Sequence, residues 1–197
     1  MAFSDAADGD VRNDHSRRAD LARRLEVSDR WATVEQVHGS HVVEVDEPGD
    51  HGQADAMFTS RAGLPLAIFT ADCAGVAVLA RGAVGVAHAG WRGAADRVVE
   101  ALVLRMRAAG YEPFSAAIGP TIGPCCLEVG PEVIARFDGF TSSTSWGSPS
   151  IDLERAIEAQ LGGLKTSVTG SCTRHLPGWF SHRRDRTPAR MATIAWM

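Results

Sequence analysis

Three side chains that can bind a metal, or act as nucleophile and base, each follow a predicted strand. His38 follows "VEQV", Cys73 follows "AIFTAD" and His88 follows "VGVA", and each lies where the strand gives way to a glycine-containing turn. Rigid strands that end together can direct such side chains at one point. Two imidazoles and one thiolate form a donor set of catalytic zinc sites, with the fourth position left for water. The separations of 35 residues (38 to 73) and 15 residues (73 to 88) lack the close pairing of a zinc finger.

The same three residues allow other interpretations. A cysteine in an apolar run is most often a small core residue, and His88, between Ala87 and Ala89, can be a hydrogen-bonded core histidine. A cysteine and a histidine in contact also form a nucleophile–base pair for acyl transfer or deamidation. No third, orienting residue is evident from the sequence. Blue copper sites use two histidines and a cysteine as well, but the nearest following methionine, Met106, belongs to a predicted helix core.

Two polar neighbours are the predicted catalytic residues. In an extended segment Gln36 lies on the same face as His38, so it is a candidate to contact substrate or to orient a water on the metal. Glutamine cannot itself be the base. Asp72 points away from Cys73 unless the chain has already turned there. Asp72 is either an acceptor that fixes a histidine or the N-cap of a turn.

Two arginines are predicted to bind phosphate or another anion. The stretch "GWRGAAD" places Arg92 in a glycine-rich turn before a helix, where backbone N–H groups and a guanidinium can hold an anion. The alternative is a surface arginine packed on Trp91. Residues 172–185, "CTRHLPGWFSHRRD", concentrate basic side chains, including Arg183, in a chain of net charge −4. This segment contacts an anionic substrate or a neighbouring subunit, or it is a solvated loop.

Interleaved strands and helices must position these residues. Apolar patterns predict strands at 31–37, 41–45, 64–70, 75–80, 83–88, 114–119, 164–168 and 191–196. Helices are predicted at 16–25, 94–110, 131–137 and 152–163. Residues 1–15 are predicted to be loosely structured and 141–150 to be a polar loop. Because strands and helices do not alternate strictly, we expect an α/β fold with mixed sheets flanked by helices.

The bulk composition indicates an ordinary water-soluble globule. The 197 residues are 45% apolar and 22% charged, and we expect one domain over 1–197. The net charge gives no reason to expect a nucleic-acid partner, and the apolar run 71–88 is too interrupted to span a membrane. The polar N-terminus does not resemble a signal peptide, and two of the four cysteines are adjacent, so we expect a cytoplasmic protein with reduced thiols.

Six longer segments together resemble one known family. These segments run in family order from about residue 31 to the C-terminus: "EQVHGSHVVEV", "ADAMFTSRAGLPLAIFTADCAGVAVL", "VGVAHAGWRGAA", "AAIGPTIGPCCLEVGPEVIARF", "DLERAIEAQL" and "CTRHLPGWFSHRRD". The family is the YfiH-like family, whose members are variously labelled multicopper polyphenol oxidase or laccase-domain protein, purine nucleoside phosphorylase and peptidoglycan editing factor.

The resemblance implies a fold, a metal site and an activity. The fold is a mixed α/β arrangement distantly akin to cysteine hydrolases. The zinc site corresponds to His38, Cys73 and His88, in "QVHG", "ADC" and "AHAGW". The implied activities are phosphorolysis of adenosine, inosine, guanosine and methylthioadenosine, and hydrolytic deamination of adenosine. The oxidase label implies copper as the less favoured metal, and some members are linked to removing misincorporated serine from a cell-wall precursor.

The sequence departs from the family pattern in three places. The N-terminal segment, about residues 1–30, is shortened to "AFSDAADGD" at its start, and the family's arginine near the site has no counterpart there. Leu127 stands where the family has a tyrosine, and Ala189 stands where it has a glycine.

The leading hypothesis is a zinc-dependent purine nucleoside phosphorylase with adenosine deaminase activity, acting on small molecules. For deamination, a zinc ion in such a site lowers the pKa of bound water toward about 7, which prepares it to attack C6 of adenine. For phosphorolysis, Arg92 and Arg183 are the candidates to bind phosphate. One alternative is a cysteine hydrolase or amidase with Cys73 as nucleophile and His38 or His88 as base. Another is an inactive family member that acts as a partner protein. The sequence leaves an oligomer possible.

Overall fold

The computed structural model describes all residues, 1–197, as strands and helices in mixed order. The strands are β1 (Ala2–Phe3), β2 (Ala32–Glu35), β3 (Val42–Glu44), β4 (Gly49–Gln53), β5 (Ala56–Thr59), β6 (Leu66–Thr70), β7 (Ala74–Ala80), β8 (Ala83–Ala89), β9 (Pro113–Ile118), β10 (Thr141–Ser143), β11 (Pro149–Ile151), β12 (Lys165–Val168) and β13 (Met191–Ala195). The helices are α1 (His15–Arg24), α2 (Trp91–Ala95), α3 (Val98–Ala108), α4 (Pro131–Ile134), α5 (Leu153–Gln160) and α6 (His182–Asp185).

The strands form two large sheets and one hairpin. One sheet has five strands in the order β1-β13-β6-β2-β4, and the other has six in the order β12-β9-β7-β8-β5-β3. Each sheet contains parallel and antiparallel pairs; for example, β2 runs parallel to β4, whereas β13 and β6 are antiparallel. The prediction of an α/β fold with mixed sheets flanked by helices is therefore confirmed.

The two large sheets pack face to face. One buried apolar cluster takes residues from both, such as Leu66 and Ile68 of β6 and Met57 and Val86 from the six-stranded sheet. Gly75 of β7 lies at a close approach, because a Cβ on this residue would be 1.9 Å from Oγ1 of Thr193 in β13. Only a residue without a side chain allows the sheets to come so near at this point.

Helices cover the outer faces of both sheets. Val98, Leu102 and Met106 of α3 are buried in the cluster that covers the six-stranded sheet, as the helical spacing predicts, and α5 packs in the same cluster. On the opposite side, Leu21 of α1 packs with Phe69 of β6 over the five-stranded sheet. The molecule is thus a four-layer arrangement of helix, sheet, sheet and helices. None of the helices combines the length and the apolar character needed to cross a membrane.

Two sequence-based element predictions are wrong in detail. The helix predicted over 94–110 is divided into α2 and α3, because Arg97 adopts a left-handed backbone conformation with φ of 60°. The predicted polar loop 141–150 contains the antiparallel hairpin β10–β11, closed by Thr144 and Ser148. Because every residue of β10 is exposed, this strand carries no alternation of apolar and polar residues that would reveal it.

The N-terminal segment is also more ordered than predicted. Strand β1 pairs with β13, and Asp5 caps a short 3-10 helix, Ala6–Asp8, with a capping box. These elements are held by pairing with a distant strand and by one polar cap, so local hydrophobic patterning does not signal them. The strands predicted on either side of residues 38–40, β2 and β3, are present but belong to different sheets.

We predict that Gly75→Ala lowers the free energy of unfolding by about 1–3 kcal/mol, because overpacking forces the sheets apart at Thr193. Chemical denaturation with circular dichroism measures this change. Gly178→Ala is the matched control, since a Cβ there meets no atom within 4 Å. Equal stability of the two variants would contradict the close approach at Gly75.

Candidate metal centre

The three predicted metal ligands meet at one end of the space between the two sheets. His38 follows β2 of the five-stranded sheet, whereas His88 is the penultimate residue of β8 in the six-stranded sheet. Cys73 lies in the connection from β6 to β7, where the chain passes from one sheet to the other. Each layer therefore contributes one histidine, and the crossover between them contributes the thiol.

The donor atoms are close enough to share one ion. The imidazole nitrogens and the thiol sulfur of the trio lie within 4.8 Å of one another. Cys73 Sγ is 4.0 Å from His38 Nε2, and the rings of His38 and His88 meet edge to face with centroids 4.7 Å apart. His88 is buried and Cys73 half-buried, whereas His38 is exposed. The arrangement therefore has a rigid interior and one side that faces solvent.

A buried carboxylate, Asp55, orients the ring of His88 and holds the backbone at His38. Its Oδ1 lies 2.7 Å from His88 Nδ1, and the same carboxylate accepts hydrogen bonds from the backbone N–H groups of Val37, His38 and Gly39. The side chain of Asp55 is completely buried. The bond to Nδ1 leaves Nε2 of His88 available as a donor to a metal, which is how carboxylates position histidine ligands.

The electrostatics of this group favour an ionised thiol. Removal from water raises the pKa of Cys73, but hydrogen bonds and positive charge from His38 and His88 outweigh it and lower the pKa to about 6. Burial lowers the pKa of His88, whereas Asp55 and Cys73 outweigh burial and raise it to about 9. Burial likewise raises the pKa of Asp55, but His88 and the backbone donors lower it overall. A thiolate is the form that binds metal and the form that acts as a nucleophile.

The residues fit a metal ion in both chemistry and space. A thiolate and two imidazoles suit zinc, with one position left for water or substrate. Gly90 keeps the site open, because a Cβ on this residue would lie 2.8 Å from Cys73 Sγ and 3.1 Å from His38 Cδ2. The oriented His88 and the open, solvent-facing side are features of catalytic rather than structural metal centres.

The two predicted catalytic residues have partners within the protein. The side-chain amide of Gln36 donates to the carbonyl of Phe69 and accepts from its N–H, both at 2.8 Å. Asp72, whose φ is 88°, accepts from Thr173 Oγ1 at 2.7 Å and from the backbone N–H of Arg183 at 2.6 Å. Asp72 therefore does not contact either histidine of the trio through its carboxylate, and the acceptor that fixes His88 is Asp55.

One cavity brings all seven predicted site residues together. It has a volume of about 410 Å³ and is lined by the metal-ligand trio, Gln36, Asp72, Arg92 and Arg183. Arg92 is exposed and its guanidinium stacks on the ring of Trp91, with Cζ 4.3 Å from the ring centroid. Arg92 therefore packs on Trp91 and also lines the cavity, but it lies within the first turn of α2 and not in a turn before the helix.

The basic segment 172–185 divides its side chains between the cavity and its own loop. His182 and Arg183 line the cavity. Arg184 instead donates to the carbonyl groups of Thr173, Leu176 and Trp179, so it holds the segment together. The segment is therefore held in an ordered conformation, and His182 and Arg183 form its part of the cavity wall, while several of its other residues remain exposed.

Three residues near the site were not identified from the sequence. Arg12 and Arg190 line the cavity, although no arginine of the N-terminal segment was assigned to the site. Asp55 was also missed. Its signal is a carboxylate directly before the apolar stretch Ala56–Phe58, since an acid at the start of a buried strand must find hydrogen-bond donors.

Comparisons with known proteins give a family and a fold for this chain. Residues 3–197 match the family described as multi-copper polyphenol oxidoreductase laccase. The chain is 38% identical over 179 residues to a Streptomyces griseus protein named purine nucleoside phosphorylase ORF3, covering 83% of this chain and 73% of the relative. A Xylella fastidiosa protein named purine nucleoside phosphorylase is 39% identical over 189 residues, covering 83% of this chain and 71% of the relative.

Solved structures with the same fold are also found. The chain resembles the hypothetical protein YfiH from Bacillus licheniformis with a TM-score of 0.84 and 27% identity, covering 93% of this chain and 80% of that one. It resembles YlmD from Geobacillus stearothermophilus with a TM-score of 0.83 and 32% identity, covering 93% of this chain and 81% of that one.

We predict that Asp55→Asn weakens metal binding by about 10–100-fold, because an amide cannot accept from all the donors that the carboxylate satisfies. Competition for zinc against a chelator of known affinity measures the change. The matched control is Asp50→Asn, an exposed residue of β4 whose carboxylate accepts only from the N–H of Gly52. Unchanged zinc affinity in folded Asp55→Asn protein would refute the orienting role.

Proposed function

This chain belongs to the multi-copper polyphenol oxidoreductase laccase family, and we propose from that premise that it is a metal-dependent purine nucleoside phosphorylase. The YfiH-like resemblance inferred from the sequence is confirmed by the family match and the structural neighbours. The name shared by its relatives supports the activity class. The proposal adds the metal, the substrate class and the roles of individual residues.

The observation that carries this proposal is a single cavity containing both the metal-ligand trio and four arginines. Its volume of about 410 Å³ is in the range of small-molecule sites. The arginines that line it are Arg12, Arg92, Arg183 and Arg190. A cavity with an excess of positive charge and a few apolar surfaces suits a nucleoside together with inorganic phosphate.

Arg12 and Arg92 are the best placed to bind phosphate. Neither guanidinium forms a hydrogen bond within the protein, and each is held only against an aromatic ring, Phe69 for Arg12 and Trp91 for Arg92. Their N–H donors are therefore available for a charged oxygen anion. One guanidinium nitrogen of Arg183 donates to the carbonyl of Glu128, and its other guanidinium N–H groups form no hydrogen bond within the protein. Arg183 thus remains a candidate, as predicted, and Arg12 joins it.

Phosphorolysis exchanges one bond at the sugar for another. A phosphate oxygen forms a bond to C1′, and the bond from C1′ to the purine nitrogen breaks with its electron pair leaving on the base. The base must then take up a proton. His182 is the one histidine of the cavity outside the trio, so we assign it as the proton donor. The arginines hold the phosphate and offset the charge repulsion of the approach.

A metal ion would add a Lewis acid to the residues of the cavity. A zinc ion held by His38, Cys73 and His88 would supply a Lewis acid to polarise an oxygen of substrate or water. Copper is the less suitable ion, because no methionine lines the cavity to serve as the axial ligand of a blue copper site.

Gln36 and Asp72 act as positioning residues in this proposal. Gln36 ties the end of β2 to the backbone of Phe69 in β6, next to the loop that carries His38. Asp72 holds the first turn of α6 through the N–H of Arg183. Both side chains therefore fix the walls of the cavity, and the polar atoms of each are already engaged in hydrogen bonds within the protein.

Adenosine deamination is the finer part of the proposal. Zinc deaminases use a carboxylate near the metal to pass protons. The only carboxylate that lines this cavity is Asp72, and both of its oxygens already accept hydrogen bonds. For this reason we rank deamination below phosphorolysis as the activity of this chain.

One observation favours the cysteine-hydrolase alternative. No third residue that could orient a cysteine–histidine pair is evident from the sequence, but Asp55 forms a hydrogen bond with His88 Nδ1 and so completes a Cys73–His88–Asp55 series. A nucleophile, a base and an orienting acid are the parts of a cysteine hydrolase. Metal content separates the two functions, because a bound zinc ion occupies the thiolate that a hydrolase needs free.

We further propose three points of context. Residues 1–197 act as one domain, the partners are small molecules, and the protein works in the cytoplasm. All four cysteines are free thiols, which supports a reducing compartment.

The deciding experiment incubates zinc-loaded protein with adenosine or inosine, with and without phosphate, and separates the products. We expect the free base and ribose 1-phosphate to form only when phosphate is present, and His38→Ala to abolish this reaction together with metal binding. His41→Ala, an exposed histidine on the same loop, is the control and should retain both. Release of ammonia alone, or no reaction, would overturn the phosphorylase proposal.

We predict that Arg12→Ala and Arg92→Ala each raise the KM for phosphate at least about tenfold, because each removes charge-assisted hydrogen bonds worth about 1.5–3 kcal/mol. Steady-state kinetics with phosphate and inosine varied separately measure the effect. Arg81→Ala, in the exposed turn between β7 and β8, is the control. A rise confined to the KM for inosine would assign these arginines to the nucleoside instead.

A further inference from the structure

Three cysteines form a second cluster outside the cavity of the proposed active site. Cys125 and Cys126 lie on the turn closed by the hydrogen bond from Cys126 N–H to Gly123 carbonyl. Cys172 is brought beside them by a parallel bridge with Thr121. The three sulfur atoms lie within 4.8 Å of one another, and those of Cys125 and Cys126 are 3.5 Å apart.

This spacing suits one ion shared by three thiolates. With a metal–sulfur distance of about 2.3 Å and tetrahedral angles, two sulfur ligands of one ion are about 3.8 Å apart. A disulfide would join only two of the three sulfurs, at about 2.05 Å. The cluster brings all three to a common point, and all three are free thiols.

The surroundings of the cluster also suit a cation. The backbone N–H of Gly123 donates to Cys172 Sγ at 3.3 Å, which fixes the direction of this sulfur. A separate cavity of about 220 Å³ gives access to the cluster and is lined by Cys125 and Cys172. The same cavity contains the carboxylates of Asp152 and Glu154, and no lysine or arginine lines it. The negative charge of these residues favours a cation, and the cavity provides an access path for it. The positive charges of Arg174 and Arg184 also act on the cluster, from outside this cavity.

We propose that Cys125, Cys126 and Cys172 form a second metal site, for a thiophilic d10 cation such as Zn²⁺ or Cu⁺. Soft thiolate ligands select such ions over Mg²⁺ or Ca²⁺. This site is separate from His38, Cys73 and His88 and shares no ligand with them. The proposal does not depend on the phosphorylase activity.

An ion here would join two segments that wall the active-site cavity. Ile122 and Leu127, on either side of the cysteine turn, line that cavity. On the other segment, Thr173 follows Cys172 directly and donates to Asp72, which in turn holds the N–H of Arg183. A metal bound by both segments would therefore fix the spacing between the turn and the basic wall of the active site.

Metal stoichiometry tests the proposal. Reduced, metal-free protein is titrated anaerobically with Zn²⁺, and separately with Cu⁺ in competition with a chromophoric Cu⁺ chelator. We expect two tightly bound ions per chain in the wild type with at least one of these metals. Cys172→Ser and Cys73→Ser should each retain one, while Ser171→Ala, which lines the same small cavity without a thiol, should retain two. One ion per chain in both wild type and Cys172→Ser would overturn the proposal.

A second measurement on the wild-type protein avoids any folding defect of the variants. Thiol alkylation followed by mass spectrometry reports each cysteine separately. Bound metal should slow alkylation of Cys125 and Cys172 at least about tenfold, and a chelator should restore it. Alkylation of these two thiols at the same rate with and without metal, or a disulfide within the cluster that persists under mild reduction, would refute the site.

Discussion

The proposed active site depends on the burial of one carboxylate, Asp55, which must find donors for its oxygens. It has no contact with water, and its donors come from His88 in one sheet and from the backbone of residues 37–39, which follow a strand of the other sheet. A buried ionised group without such partners would cost several kcal/mol. The same hydrogen bonds that satisfy Asp55 therefore fix the ring of His88 relative to the backbone that carries His38.

The packing of the two sheets then decides where the thiol lies. Gly75 permits the close approach of β7 and β13, and the chain reaches β7 from β6 through the short connection that contains Asp72 and Cys73. Asp72 has a left-handed backbone conformation in this connection and is held by Thr173 and Arg183. Cys73 is thus positioned by a strained crossover that Thr173 and Arg183 hold in place.

The two cysteine sites differ in chemistry because the groups that surround their thiols carry different charges. Cys73 lies beside two imidazoles that stabilise its negative charge, and it faces a large cavity with arginines. In the second cluster, each sulfur has two other sulfurs as neighbours, and burial and these neighbours raise the pKa of Cys125 to about 12. The first environment suits catalysis at an open position, and the second suits an ion that neutralises several thiolates at once.

The sequence by itself determined the buried strands, most of the longer helices and the residues capable of metal or anion chemistry, but not the short or exposed elements such as β1, β4 and β10. Buried strands such as β7 and β8 have continuous apolar patterns, and His38, Cys73 and His88 stand at strand ends beside glycines, so each could be found from its neighbours along the chain. Only the tertiary structure decided which of these residues meet. The assignment of β2 and β3 to different sheets, the hydrogen bond of Asp55 to His88 33 residues away, and the burial of Asp72 depend on packing between segments far apart in sequence. Local propensity cannot encode them, because a hydrogen bond between distant groups forms only after the two sheets have packed and excluded water.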